Sequence, residues 1–278
     1  MLLNNTYKKS WKIIGLCLLL GGSVLAQKKP GMAEGVKAPA AVKIDGKHNE
    51  WGTLPEYNKS TSLRYTLAND ANNLYLAITS TDQININKLL GGGLTFTINK
   101  DGKKKEKDAA TFVYPFVTRG RGFRMGGGGR GRQGGGDVDT VALVASRKQA
   151  VAGMKELSVT GVKEITDTLV SIYNTYGIKT VINFDTKGNL FYELAIPLKL
   201  LELDASKQTE LAYNVKLNGI QMGNGGGMRI ANRQGGGDGG GGNGGGNGGG
   251  FGGGGFGGQM MDMMTATDFW GKYKLAKP

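Results

Sequence analysis

The sequence predicts an all-β chain: an antiparallel β-sandwich, jelly-roll or immunoglobulin-like, with long glycine-rich loop insertions. Three observations lead there. Apolar and polar residues alternate in many short runs, as strands with one buried face require. No long stretch carries the 3.6-residue apolar period of an amphipathic helix. The 50 glycines among 278 residues are gathered in tracts, 10 of them in 119–136 and 24 in 219–258, beside only 6 prolines. Glycine without proline and without a Gly-X-Y period excludes collagen, and the apolar content outside the tracts excludes a wholly disordered chain.

The elements follow in order. Lys8, Lys9 and Lys12 precede an apolar run from Ile13 to Leu20, then Gly21-Gly22-Ser23 and Val24-Leu25-Ala26. That layout is an export signal, residues 1–26, with cleavage expected before Gln27. The run is shorter than the roughly 20 residues of a membrane-spanning helix, so no transmembrane segment is expected after cleavage. Cys17 is the single cysteine and lies inside the run, so the exported chain, periplasmic, outer-surface or secreted, must hold its fold without disulfides.

Residues 27–39 read as a linker, and 40–278 as one sandwich module with insertions at 119–136 and 223–258. Strands are expected at Val42–Ile44, Leu63–Leu67, Leu74–Thr79, Leu94–Asn99, Thr111–Thr118, Thr140–Ala145, Leu157–Lys163, Leu169–Tyr173, Ile178–Phe184, Asn189–Ile196, Leu211–Ile220 and Phe269–Leu275. Asp70–Asn73 joins two of them as a turn. Asn99-Lys100-Asp101-Gly102 and Asp185-Thr186-Lys187-Gly188 place Asp before a glycine, as hairpin connections favour. One short helical turn is expected at Pro197–Leu203.

Four segments stand in a telling order: Ile44-Asp45-Gly46; Glu50-Trp51; Asn72-Asn73-Leu74-Tyr75-Leu76-Ala77-Ile78; and Phe191-Tyr192-Glu193-Leu194-Ala195-Ile196-Pro197 with Leu200-Leu201. With these motifs residues 42–221 resemble the family 9 carbohydrate-binding modules and their DOMON-like relatives, and the resemblance can be carried to Phe269-Trp270-Gly271. It implies a non-catalytic sandwich, with no cofactor, that recognises a polysaccharide by aromatic stacking and polar contacts. The glycine tracts have no counterpart in that pattern, and the aromatic clamp of such modules has no definite positions here.

Each candidate residue has a plain alternative. Trp51 is expected to plug one end of the core, with a sugar-stacking platform as the functional alternative. Trp270 follows the long tract and is expected near a rim. Tyr75 shares a strand face with Ala77 and Thr79; if that face is solvated, Tyr75 and Arg64 on the adjacent strand make a ligand surface. Glu193 is expected to be buried and paired. No second carboxylate argues for a glycosidase, so an enzyme is not expected. His48 is the single histidine, which excludes any site needing two imidazoles, and without a cysteine in the exported chain a Cys/His zinc site is excluded too. Some DOMON-like domains hold haem, but His48 is expected to face water.

Net charge is +13, which favours anionic partners. Arg119, Arg121, Arg124, Arg130 and Arg132 sit among glycines in the manner of RNA-binding arms. Export redirects them from intracellular nucleic acid to acidic glycans. Met260, Met261, Met263 and Met264 are a soft cluster suited to copper(I), set against an apolar strand closing the sandwich. The leading expectation is therefore glycan recognition. A structural or adhesive role of the basic glycine-rich arms is second and copper(I) binding third. Ligand identity and oligomeric state have no signal in the sequence.

Overall fold

The computed structural model describes residues 32–33, 35–117, 139–221 and 256–278. The expected export signal, the arginine-glycine tract and the glycine tract up to residue 255 lie outside the described residues.

Short alternating runs give short strands here, and one-sided hydrophobicity stacks them as two sheets, so the fold is an all-β sandwich. In chain order the strands are β1 (Met32–Ala33), β2 (Val36–Lys37), β3 (Glu56–Asn58), β4 (Leu63–Asn69), β5 (Asn73–Ser80), β6 (Leu94–Asn99), β7 (Ala110–Tyr114), β8 (Glu156–Thr160), β9 (Leu169–Ser171), β10 (Lys179–Phe184), β11 (Leu190–Pro197), β12 (Glu210–Leu217) and β13 (Thr267–Lys274). One sheet runs β1-β13-β12-β6-β7-β8-β9 and the other β10-β11-β5-β4-β2, with β3 also on the β4 edge. Pairing is antiparallel except for the two-residue strands β1 on β13 and β2 on β4, which are parallel.

The inner faces carry the residues that the alternation picks out. Leu74, Leu76 and Ile78 of β5 meet Phe96, Phe112, Tyr213 and Tyr273 of the other sheet in one buried cluster. Tyr65 and Tyr213 hydroxyls hydrogen-bond across the two sheets at 3.0 Å, which satisfies polar tips inside an apolar layer.

Among the described residues three α-helices go beyond the one helical turn expected. α1 (Gln83–Gly92) starts on Asp82, whose carboxylate accepts from the Asn85 amide at 2.9 Å, and stops at Gly93 with φ 78°. α2 (Thr140–Ala152) replaces the strand expected at Thr140–Ala145. Its β-branched Thr140, Val141 and Val144 suggest a strand, but Asp139 caps the first turn through the Ala142 amide at 3.0 Å and alanines fill the body. α3 (Phe256–Met264) replaces the apolar strand expected at the methionines. Val42–Ile44 is not a strand either; it belongs to an irregular opening segment. The expected helical turn is a 3-10 helix, Leu198–Leu201, entered from Pro197.

Candidate functional site

The outer face of the β10-β11-β5-β4-β3 sheet is divided between a covered and an open half, and the register fixes which residues fall in each. Ala68, Tyr75, Ala195 and Lys179 are mutual partners across β4, β5, β11 and β10, and Thr66, Ala77, Glu193 and Val181 form the next row. A third row holds Tyr57 of β3, Arg64, Thr79, Phe191 and Asn183.

The opening segment covers the first two rows. Val42, Ile44 and Trp51 pack on Ala68, Tyr75 and Ala195, and Trp51 also packs on Leu54, Ala77 and Phe191. Trp51 therefore lies on the outside of the sheet and not at the end of the inter-sheet core, as the sequence suggested. Glu193 is fully buried beneath it. One carboxylate oxygen accepts from Trp51 Nε1 at 2.8 Å and the other from the Gly46 amide at 2.7 Å. Gly46 has φ 78°, and a Cβ there would come within 2.7 Å of the Asn183 Cβ, so both the turn and the close approach need glycine. Burial pushes the Glu193 carboxyl above the usual glutamate value, although the Trp51 and Gly46 donors pull it back.

Tyr75 is 6% exposed, stands edge-on to Trp51 at 5.9 Å, and donates its hydroxyl to Asp70 at 2.6 Å. Burial, then the Asp70 carboxylate, pushes Tyr75 up to about 12. Asp70 is held below the usual aspartate value: burial raises it, but the Tyr75 hydroxyl and the Asn72 and Asn73 amides outweigh that. The face bearing Tyr75 is thus packed and not solvated, and Tyr75 presents no ring to a ligand.

The third row is open. Tyr57 is 52% exposed, and the Arg64 guanidinium lies 5.6 Å from the centre of its ring. Across the sheet the row enters a cleft of about 210 Å³ lined by Gly46, Lys47, His48, Asn49, Thr79 and the β10–β11 hairpin. Four strand spacings, about 19 Å, separate Tyr57 from Asn183, and Phe191 within the row is buried under Leu54 and Trp51. His48 is exposed, as expected, and its ring stands edge-on to the cleft floor at Phe191, 5.3 Å between centres. Thr79, which lines the cleft, donates its hydroxyl to the Leu190 carbonyl at 2.8 Å and keeps its acceptor capacity. The far wall is tied to α2 through Arg147. Arg147 of α2 is buried over Phe184 at 5.6 Å and donates to the Gly188 carbonyl at 2.7 Å and to Gln83, and its burial lowers its pKa.

The four sequence candidates do not converge. Trp51 and Tyr75 touch in the covered half. Arg64 shares their outer face but pairs with Thr79, four residues along β5 from Tyr75, or about 13 Å at strand rise. Trp270 is half-buried on β13 of the other sheet, opposite Asn214. On α3 Met261 and Met264 are 68% and 47% exposed one turn apart, and Met260 and Met263 are half-buried. Among the described residues no group of three His, Cys, Asp or Glu side chains is placed to hold a metal.

Sequence reasoning missed Tyr57, Asn49 and Asn183. Tyr57 stands in Pro55-Glu56-Tyr57-Asn58-Lys59, an aromatic ring alone in a polar run, and that isolation is the signal that could have found it. The amides come from a loop and a neighbouring strand, which only the register brings together.

No protein-family model and no curated protein matches the chain. A solved carbohydrate-binding module of family 9 from Caldicellulosiruptor kristjanssonii, in complex with glucose, is similar at 8% identity and a TM-score of 0.36, with 89% of this chain and 96% of that one covered. No described helix is long and apolar enough to cross a membrane.

Proposed function

We propose that this protein is an exported, non-catalytic binder of polysaccharide, and that residues 40–278 act as the binding module after removal of residues 1–26. The observation that carries the reading is the open third row. An exposed aromatic ring beside a guanidinium shares a register row with Thr79, which lines a cleft together with His48 and Asn49. Sugars need both parts: an aromatic plane for their C–H faces, and short polar groups that donate and accept for their hydroxyls. The covered half supports the row by holding the His48–Asn49 loop against the sheet.

A glycan array probed with the full chain and with Tyr57→Ala tests this. Binding to a polysaccharide that Tyr57→Ala lowers about tenfold is expected, the scale of one lost stacking contact. No binding to any glycan would overturn the reading. A second reading, adhesion through basic surface, rests on Lys103, Lys104, Lys105 and Lys107, all exposed on the β6–β7 hairpin. It takes over if glycan binding survives Tyr57→Ala but is lost when those four lysines become glutamine.

A further inference from the structure

We infer that the ligand of the open row carries an anionic group, a carboxylate or a sulfate, which seats on Arg64; this rests on the polysaccharide reading above and deepens it.

Arg64 is the exposed position in a strand whose other residues are buried. It leaves the sheet on the outer face, while Leu63, Tyr65 and Leu67 on either side of it turn to the buried core. Its ring partner Tyr57 holds the guanidinium plane in place at 5.6 Å without using its N–H donors. Among the described residues no carboxylate lies within ion-pair distance of Arg64; the ion pairs there join Lys47 to Asp45, Lys100 and Lys163 to Glu202, Lys103 to Asp101, and Lys272 to Glu210.

The contrast with Arg147 sharpens the point. Arg147 is equally without a carboxylate but is buried, and it spends donors on the Gly188 carbonyl and Gln83. Arg64 is exposed, with no carboxylate partner among the described residues, between the Tyr57 ring and Thr79 in the row. A guanidinium fork matches a carboxylate or sulfate with two parallel hydrogen bonds, a geometry lysine cannot copy.

Two carboxylates lie near the row, and neither pairs with Arg64. Glu56 alternates with Tyr57, so its side chain leaves β3 on the other side. Asp185 in the cleft wall is occupied: its oxygens accept from the Lys187 and Asn189 amides and from Asn189 Nδ2 at 2.7–2.9 Å. Lys47 adds a positive charge on the cleft lip.

The test compares polymers that differ in charge alone. Polygalacturonate and its fully methyl-esterified form share a backbone, as do dextran sulfate and dextran. The full chain is expected to bind at least one anionic member about tenfold more tightly than its neutral partner, the scale of one charge-assisted hydrogen bond. Which pair responds tells carboxylate from sulfate. Arg64→Gln should bring that ratio close to one by weakening the anionic member far more than the neutral one, and Tyr57→Ala should weaken both members together. Circular dichroism and thermal unfolding of each variant show that the fold is kept. A ratio unchanged in folded Arg64→Gln overturns the inference, as does one that collapses instead when Lys103, Lys104, Lys105 and Lys107 become glutamine. Equal binding of charged and neutral polymers, still weakened by Tyr57→Ala, overturns it and leaves the polysaccharide reading standing. No binding of any polymer overturns both.

Discussion

The two halves of one sheet face are built from similar residues and do opposite things. In the covered half an indole, a phenol and a carboxylate close on one another: Trp51 on Tyr75, Trp51 and Gly46 on Glu193, Tyr75 on Asp70. In the open half a phenol and a guanidinium lie side by side with their polar groups toward water. What separates them is the opening segment, which crosses two of the three rows and reaches the third only at Phe191. An aromatic residue in a strand is therefore no indication of a platform until it is known what lies over it.

The largest effect expected on that comparison comes from Trp51→Ala. The substitution removes a large ring from two apolar clusters and leaves a Glu193 oxygen buried without its donor. A loss of about 3 kcal/mol or more is expected from the cavity and the orphaned carboxylate together. The midpoint and slope of denaturant unfolding measure it. A loss below about 1 kcal/mol would mean that the opening segment is not anchored through this residue, and the covered half would have to be reinterpreted.

Glu193→Gln is expected to act less, about 1–3 kcal/mol, because the amide has one acceptor where two donors converge. It also changes the response to pH. Burial raises the Glu193 pKa above its ordinary value of 4.5, so the folded protein keeps the proton where the unfolded chain has released it. The contribution to stability is then full below that value and is lost as pH rises through the folded one. Stability followed from pH 4 to pH 7 should show that decline in the parent chain and lack it in Glu193→Gln. An identical slope in both would place the proton elsewhere.

Much of this was legible in the sequence. Period-two alternation located β4 and β5, and short strand-type runs bounded by turn residues located β6, β11 and β12. The opening motif with Trp51 and the strand with Glu193 were singled out, and the expectation that Glu193 is buried and paired holds. The helices were not legible. α2 owes its start to Asp139 and its docking to Arg147 reaching Gly188, a contact 41 residues away that no local pattern encodes. The site was least legible of all, since Tyr57 is exposed for want of a neighbour above it, and absence of cover leaves no mark on a strand's own sequence.

Tyr57→Ala should have the smallest effect on stability and is the sharpest test of the division. Tyr57 lies on a three-residue edge strand, its ring is half in water, and its neighbour in the row is a solvent-facing arginine. Little apolar area is lost on truncation and no buried group is orphaned, so the unfolding free energy should change by no more than about 0.5 kcal/mol. Set beside the loss expected at Trp51, that gap of several-fold separates a ring that holds the protein together from a ring left free for a ligand. If Tyr57→Ala costs as much as Trp51→Ala, the third row is packed structure and the division between the two halves disappears.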